Sequence, residues 1–294
     1  IMSFIMLAMI FMILPRANVS SKRINEVLDE KVGVVEGKND YSEKLGTIEF
    51  KDVNFKYEND SDYILKDINF KVNKGQTLAV VGTSGSGKST LINLIARLYD
   101  ATDGEVLIDG KNIKDYTFES LYSKVGYIGQ KAIVFSDTIA NNVAFGETKT
   151  KVGEDEIKQA IEIAQGKEFV ENMKDGYNSE IAQGGINISG GQKQRLAIAR
   201  IIAKKPEILI FDDSFSALDF KTDKKLREEL KRNLKDTTSV IVASRIGTIM
   251  NADQILVLDG SKLVGKGTHE ELLENCEVYK EIALSQLSAQ ELEG

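Results

Sequence analysis

Cysteine and histidine are scarce in this 294-residue sequence and it has no excess of positive charge, with 38 Lys and Arg against 45 Asp and Glu; each of these features excludes something. Cys276 is the only cysteine, so no disulfide forms within the chain, and a reducing compartment fits best. His269 is the only histidine; it follows Thr268, a helix-capping residue type, and no triad or metal constellation surrounds it, which predicts a helix-start position without a catalytic role. The net charge of −7 argues against a nucleic-acid partner, because such a partner requires a basic face.

The N-terminal 14 residues differ from the rest of the chain, since Ser3 is the only one among them that is not apolar. As a helix this run is about 21 Å long, shorter than the roughly 30 Å hydrocarbon core of a membrane. A signal peptide is disfavoured because no basic segment precedes the run and no cleavage site follows it. Arg16, Lys22 and Arg23 follow, which predicts that the next part is cytoplasmic. We interpret residues 1–14 as the truncated final transmembrane helix of a longer protein.

The remaining sequence divides into an extension, a globular domain and a tail. Residues 15–45 predict a cytoplasmic helical extension and a linker, with Pro15 at the junction to the apolar run. Residues 46–286 alternate strand-like and helix-like patterns, and the sequence is 42% apolar, enough to build a core. Residues 287–294 predict a polar C-terminal tail.

The apolar runs within the domain predict an α/β fold. Strand patterns open it at 47–53 and 64–72, and a helical subdomain is predicted from about 131 to 195. Continuous apolar runs then return at 208–211, 239–243 and 254–258. Because helices separate such runs, they predict a parallel core sheet that is covered on both faces.

A glycine-rich loop lies between an apolar strand pattern at 77–81 and a helical pattern that starts near Leu91. It fits the phosphate-binding pattern G-x-x-x-x-G-K-[ST] with the residues Gly82, Thr83, Ser84, Gly85, Ser86, Gly87, Lys88, Ser89 and Thr90. In this pattern backbone N–H groups cradle the phosphates, Lys88 adds a positive charge, and the Ser89 hydroxyl holds Mg²⁺. The loop predicts a nucleoside triphosphate site.

Another apolar strand pattern, at 208–211, ends at Asp212. In P-loop ATPases a carboxylate at the end of the neighbouring strand reaches Mg²⁺. Alone, such a short run is ambiguous, but together with the loop at 82–90 it predicts Asp212 as a Mg²⁺ ligand.

A further stretch, Asn187-Ile188-Ser189-Gly190-Gly191-Gln192, is nearly the L-S-G-G-Q signature of one large family of P-loop ATPases. With the other motifs in order, the whole sequence resembles the C-terminal part of an ATP-binding cassette (ABC) transporter of the exporter type. The resemblance implies a P-loop NTPase fold with a parallel core sheet, an antiparallel β subdomain and a helical subdomain. It also implies ATP and Mg²⁺ as cofactors and ATP hydrolysis coupled to solute export.

In this family two nucleotide-binding domains pack head to tail, and the signature of each closes over the ATP held by the other. The resemblance therefore assigns four residues to a partner's ATP: Ser189, Gly190, Gly191 and Gln192. It assigns the loop that crosses the dimer interface to Ser216, Ala217, Leu218 and Asp219.

The resemblance also assigns two residues that precede the signature. Tyr57 matches the aromatic that stacks on adenine, although an alternative stays open, since Phe55 lies on the same face and both rings can pack on the sheet. Gln130 matches the glutamine that contacts Mg²⁺ and lines the joint with the membrane domain. Gly129 replaces the usual proline there, which predicts a looser loop.

Three further positions depart from the family pattern. Asp213 replaces the glutamate that polarises the attacking water, so its carboxylate is one methylene short of the required reach. Ser244 replaces the histidine that contacts the γ-phosphate, and Gln183 replaces an acidic residue before the signature. We predict a site that binds ATP but hydrolyses it poorly, with Asp213 as a weak base.

These departures predict the degenerate-site subunit of a heterodimeric multidrug-type exporter, a multi-pass protein of the cell membrane with a cytoplasmic nucleotide-binding domain. The predicted partners are a second ABC half-transporter, membrane lipid and a transported solute. Three alternatives stay open: a homodimer that uses Asp213 as a slower base, a soluble ABC ATPase that moves no solute, and a regulatory nucleotide-binding module. The identity of the solute is open as well.

Overall fold

The computed structural model describes residues 1–41, 43–58, 60–146 and 151–286, so the predicted tail at 287–294 lies outside the described residues. The chain divides into two compact units, Ile1–Val35 and Glu36–Gly294. The second unit therefore begins before residue 46, where the sequence predicted the start of the domain.

The first unit contains one helix, α1, which spans Met2–Leu28. It runs through Pro15, where the sequence predicted a junction; proline removes one backbone hydrogen bond, and the helix continues on either side of it. At 27 residues the helix is about 40 Å long. By length and composition it is able to cross a membrane, which the predicted 14-residue run alone is not, and none of its side chains is buried.

The second unit is built on a ten-stranded sheet with the order β5-β4-β1-β2-β10-β9-β3-β8-β7-β6. The strands are β1 Ile48–Phe55, β2 Leu65–Val72, β3 Thr77–Gly82, β4 Asp103–Ile108, β5 Lys111–Asn112, β6 Val125–Ile128, β7 Ile208–Asp212, β8 Thr238–Val242, β9 Gln254–Asp259 and β10 Lys262–Gly267. Strands β9, β3, β8, β7 and β6 are parallel neighbours, whereas β5, β4, β1 and β2 are antiparallel. The predicted parallel core and antiparallel region are both confirmed.

Helices cover this sheet and form the predicted helical subdomain. They are α2 Lys88–Ile95, α3 Phe118–Lys124, α4 Ile139–Ala144, α5 Glu154–Ile163, α6 Lys167–Glu171, α7 Gly190–Ala203, α8 Phe220–Asn233, α9 Ile246–Ile249, α10 His269–Asn275 and α11 Glu277–Leu284. Helix α10 begins at His269 with Thr268 as its cap, as the sequence predicted, and its His269 ring is buried.

Two apolar clusters lie on opposite faces of the parallel strands. Along β3, Leu78 and Val80 belong to one cluster and Ala79 and Val81 to the other. Alternate residues of a strand point to opposite faces, so a run that is apolar throughout is buried on both sides. This explains why β7 is apolar from Ile208 to Phe211 and carries its one polar residue, Asp212, at its end.

Within the segment 36–45, predicted as part of a linker, described residues at 36–41 lie against the domain. The Gly37 N–H donates to the carbonyl of Tyr116 at 3.0 Å, and the Ser120 hydroxyl donates to the carbonyl of Tyr41 at 3.0 Å. The rings of Tyr41 and Tyr116 meet edge to face with centroids 4.8 Å apart. This segment is therefore part of the folded unit.

Candidate nucleotide site

Four site segments leave the sheet at one edge, because they follow neighbouring parallel strands. The phosphate loop follows β3, Ser244 lies two residues after β8, Asp212 ends β7, and Gln130 lies two residues after β6. Ligands of parallel sheets bind outside the carboxyl ends of the strands. The fold thus brings together residues that are up to 160 positions apart in the sequence, between 84 and 244.

The phosphate loop ends at Gly87, which directly precedes α2. Its φ of 92° lies in the left-handed region, where a glycine has no steric penalty. A Cβ at this position would lie 2.8 Å from Leu65 Cδ2, so packing also requires glycine. The sharp turn leaves the first backbone N–H groups of α2 without helical partners, and such groups bind anions.

Lys88 reaches back over the loop. Its ammonium donates to the carbonyls of Gly82 at 2.9 Å and Thr83 at 2.8 Å. Burial lowers the pKa of Lys88 below its ordinary value, and the nearby Asp213 carboxylate acts in the opposite direction. Phosphate oxygens are stronger partners for an ammonium than neutral carbonyls, so the loop holds Lys88 ready to exchange them.

The three predicted Mg²⁺ ligands, Ser89, Gln130 and Asp212, offer a hydroxyl, an amide and a carboxylate, which are the oxygen ligands that Mg²⁺ prefers. Tyr127 donates its hydroxyl to Asp212 Oδ2 at 2.9 Å and orients the carboxylate. Burial first, and the Asp212 charge second, raise the pKa of Tyr127, so the phenol keeps its proton. The described residues contain no cluster of three or more His, Cys, Asp and Glu side chains that could hold a metal ion.

Asp213 and Ser244, two of the departures from the family pattern, are in contact. The Ser244 hydroxyl lies 3.4 Å from Asp213 Oδ1, and Gln130 Nε2 donates to Asp213 Oδ2 at 3.2 Å. Asp213 has a φ of 47°, a left-handed conformation that aspartate adopts more readily than most residues. Its side chain is therefore tied to its neighbours, and no imidazole is beside it.

The signature residues form the start of α7. The Ser189 hydroxyl accepts from the Gln192 N–H at 3.3 Å, and Gln192 Oε1 accepts from the Ser189 N–H at 2.8 Å. This reciprocal capping box fixes the first turn. A Cβ at Gly190 would meet no atom within 4 Å, so the helix start is open at that residue.

The predicted interface loop, Ser216–Asp219, connects β7 to α8 and is exposed except for its buried leucine. The Ser216 hydroxyl donates to the carbonyl of Asp213 at 2.7 Å. A Cβ at Gly191 would lie 3.4 Å from the Ala217 carbonyl. The loop thus lies between Asp213 and the start of the signature helix α7.

Tyr57 has contacts that suit both interpretations of its ring, as an aromatic that stacks on adenine and as one that packs on the sheet. Its ring meets Phe55 and Tyr99 edge to face, with centroids 4.9 Å and 5.1 Å away, as a ring packed on the sheet does. Its hydroxyl lies 3.2 Å from Thr90 Oγ1, which places the ring beside α2 and the phosphate loop. The packing contacts fix the ring beside Thr90, and both interpretations of Tyr57 stay predictions.

Sequence reasoning missed three residues of this region. Besides Tyr127, they are Ser214, whose hydroxyl donates to the Ile128 carbonyl at 2.7 Å, and Gln194, whose amide donates to the Gly129 carbonyl at 3.4 Å. The partners are 65 to 86 positions apart in the sequence, so no local spacing reveals them. The only available signal is that Ser214 and Gln194 follow motifs that were recognised.

Known proteins resemble this chain over nearly its whole length. An uncharacterised ABC transporter ATP-binding protein of Mycobacterium tuberculosis is 41% identical over 290 residues, 97% of this chain and 50% of that protein. A putative multidrug export ATP-binding/permease protein of Staphylococcus aureus is 43% identical over 259 residues, 88% of this chain and 44% of that protein. The chain spans about half the length of these relatives.

A solved structure, that of a bacterial Atm1-family ABC exporter with ATP bound, has the same fold. The TM-score is 0.83 at 33% identity, over 95% of this chain and 49% of that one. The sequence profile of the ABC transporter family matches residues 65–216, a range that contains the phosphate loop, Gln130, the signature and Asp212. This chain therefore belongs to the ABC transporter family and carries its ATPase domain.

Proposed function

We propose that the chain is the nucleotide-binding part of an ABC exporter subunit in the cell membrane, with its ATPase domain in the cytoplasm. The observation that carries the proposal is the convergence of the phosphate loop, Gln130 and Asp212 on one edge of the parallel sheet. The apolar helix α1 supports a membrane location. The similar proteins are named as an export ATP-binding/permease protein and an ABC exporter, which supports an export function rather than that of a soluble ATPase.

In this function different residues of the chain bind different parts of ATP and its Mg²⁺ ion. The N–H groups at the start of α2 and the Lys88 ammonium bind the β- and γ-phosphates, and Tyr57 stacks on the adenine. Ser89, Gln130 and Asp212 hold Mg²⁺, which when bound neutralises charge on the phosphates. The signature residues Ser189–Gln192 close over ATP held by a second ABC half-transporter.

The finer proposal concerns hydrolysis at this chain's own phosphate loop. Asp213 is shorter than glutamate and is held by Gln130 and Ser244, so its carboxylate is poorly placed to take a proton from water. Ser244 is too short to reach a γ-phosphate in the way a histidine does. The site therefore retains ATP and turns it over slowly, while the signature serves a competent site on a different subunit, which makes the transporter a heterodimer.

The double substitution Asp213→Glu and Ser244→His tests the slow site. We expect the transporter assembled from the full-length chain and its co-purifying subunit to gain at least about tenfold in ATP turnover, since a misplacement of about 1 Å at a reacting group costs up to about a hundredfold. A matched control, Asp236→Glu with Ser285→Ala, changes the same residue types outside the site. Turnover that does not rise above that of the control contradicts the proposal.

Substitution of the signature separates an active subunit from a regulatory module. In the assembled pair we expect Gly190→Asp to abolish most hydrolysis, because a carboxylate at the open helix start repels the partner's phosphate. Binding of ATP to this chain's own loop should change little. Unaltered hydrolysis would favour a purely regulatory role for the chain.

Purification from membranes separates the remaining alternatives. A tagged full-length protein should be found in the membrane fraction together with a second, different ABC subunit. Recovery of a single ABC chain that hydrolyses ATP would instead establish the homodimer with Asp213 as its base. Recovery in the soluble fraction would point to an ABC ATPase that moves no solute.

A further inference from the structure

Two consecutive backbone carbonyls just before Gln130 are each bound by a buried side chain from another motif. Ser214, which follows Asp213 and is 0% exposed, donates its hydroxyl to the Ile128 carbonyl at 2.7 Å. Gln194, on the signature helix α7 and 1% exposed, donates its amide to the Gly129 carbonyl at 3.4 Å. We call this pair of side chains, Ser214 and Gln194, the carbonyl clamp.

The carbonyl clamp binds the chain at the end of β6, where the hydrogen bonds of the strand ladder stop. Strand β6 ends at Ile128, which pairs with Phe211 on β7, and neither Gly129 nor Gln130 has a partner in the strand ladder. Gly129 has no side chain to anchor it, and a Cβ there would meet only the Tyr127 ring, at 3.6 Å. The carbonyl clamp therefore holds a turn that is otherwise weakly fixed.

The Ser214 bond is the more costly of the two to break, because Ile128 is buried whereas Gly129 is only partly buried. A buried carbonyl that loses a donor is penalised more than an exposed one, because water does not replace the donor. The bonds thus favour one position of the turn, and in that position Gln130 Nε2 lies 3.2 Å from Asp213 Oδ2. Ser214 is adjacent to Asp213 in sequence, so a single short segment holds both ends of this contact.

We propose that Ser214 and Gln194 are positioning residues that set Gln130 for Mg²⁺ at this chain's own ATP site. The inference rests on the proposed function, in that it requires this site to hold Mg²⁺ and ATP. Gln194 also gives the site a connection to the partner's nucleotide: it lies on the helix that begins with Ser189, so a displacement of the signature helix displaces the carbonyl before Gln130.

The test measures how Mg²⁺ strengthens binding of a fluorescent ATP analogue to the full-length chain. In Ser214→Ala we expect the Mg²⁺ concentration for half-maximal strengthening to rise about fivefold, as expected for loss of one buried hydrogen bond, with Mg²⁺-free binding unchanged. Gln194→Met, similar in length but without the amide, should raise it in the same direction. Ser123→Ala, which deletes a hydroxyl that donates to the Ser120 carbonyl in α3, is the matched control.

A double-mutant cycle decides whether the clamp acts through Gln130. Combined with Gln130→Ala, Ser214→Ala should have no further effect on the Mg²⁺ requirement, since the residue it positions is gone. An equal rise in both backgrounds, or no rise in either clamp variant, overturns the proposal. Failure of the proposed function is seen separately, because the unsubstituted chain would then show no Mg²⁺-dependent binding of the analogue.

Discussion

The phosphate loop and the water-activating positions lie at the same edge of the sheet, yet they depart from the family pattern to different degrees. The loop, 82–90, matches its pattern at every defined position, with a left-handed Gly87 directly before α2 and the Lys88 ammonium on the Gly82 and Thr83 carbonyls. At the water-activating positions, Asp213 and Ser244 are both shorter than the family's residues, and they contact each other.

In the proposed function, ATP binding and ATP hydrolysis depend on different parts of the structure. Phosphate binding rests on backbone N–H groups and one ammonium, which the strand, turn and helix place together. Water activation rests on the reach of two side chains, which can change without disturbing the fold, since both positions lie at the ends of strands. A chain is therefore able to lose the second property and keep the first.

The largest expected effect removes phosphate binding. Lys88→Ala should weaken binding of a fluorescent ATP analogue about a hundredfold, because the ammonium makes charge-assisted hydrogen bonds to phosphate. Lys71→Ala, on an exposed face of β2, is the control and should bind normally. Comparable affinity in the two variants would show that the loop does not hold the nucleotide, and the contrast between the two regions would be lost.

A smaller loss is expected when adenine stacking is removed. Tyr57→Ala should weaken binding of the same analogue about thirtyfold, since stacking on an aromatic ring contributes about 1 to 3 kcal/mol. Tyr57→Phe keeps the ring and removes only the hydroxyl contact with Thr90, so it should retain most of the affinity. Equal losses in both variants would mean that the hydroxyl, rather than the ring face, matters.

Loss of the Tyr127 hydroxyl should affect Mg²⁺ more than ATP. In Tyr127→Phe the Asp212 carboxylate loses the donor that orients it, and we expect about a tenfold higher Mg²⁺ requirement, the lower end for residues behind a metal ligand. Binding of the analogue without Mg²⁺ should stay the same. Tyr122→Phe, on the neighbouring helix α3, is the control. An unchanged Mg²⁺ requirement would show that the Tyr127 hydroxyl does not orient Asp212 for Mg²⁺.

The parts of the site that the sequence predicted well are those encoded by adjacent residues. The loop at 82–90 lies between a strand and a helix, and each has its own periodicity, so the turn, its glycines and the role of Lys88 all follow from one short stretch. The apolar runs likewise predicted a sheet covered on both faces. Helix α7 begins within the recognised signature, at Gly190.

The contacts that escaped prediction join residues far apart in the sequence. Neither the bond between Tyr127 and Asp212 nor that between Ser214 and Ile128 has a local pattern, because each depends on the pairing of β6 with β7. The contacts of Gly37 and Tyr41 with the domain were missed for the same reason, since polar residues before a domain resemble a linker until their partner surface is known. The run of α1 through Pro15 was missed because proline often ends a helix.

The smallest expected effect concerns the pH dependence of stability that comes from His269, the only histidine, which lies outside the site. The His269 ring is 8% exposed, its Nδ1 lies 2.6 Å from the Tyr279 hydroxyl, and burial lowers its pKa, opposed by the Glu270 charge. The folded chain thus binds a proton at this ring less readily than the unfolded chain. The stability that follows is present above the unfolded pKa, about 6.5, and is lost as the pH falls towards the folded value.

We therefore expect the melting temperature of the full-length chain to fall by about 2 °C more between pH 7.5 and 5.5 than that of His269→Gln. Over the same range, binding of the ATP analogue should depend on pH to the same extent in both proteins, because position 244 carries a serine and no histidine titrates at the nucleotide. Introducing Ser244→His should add a pH dependence of binding that His269→Gln does not remove. If His269→Gln by itself abolished a pH dependence of ATP-analogue binding, the His269 imidazole would influence the bound nucleotide. That result would contradict its placement outside the site.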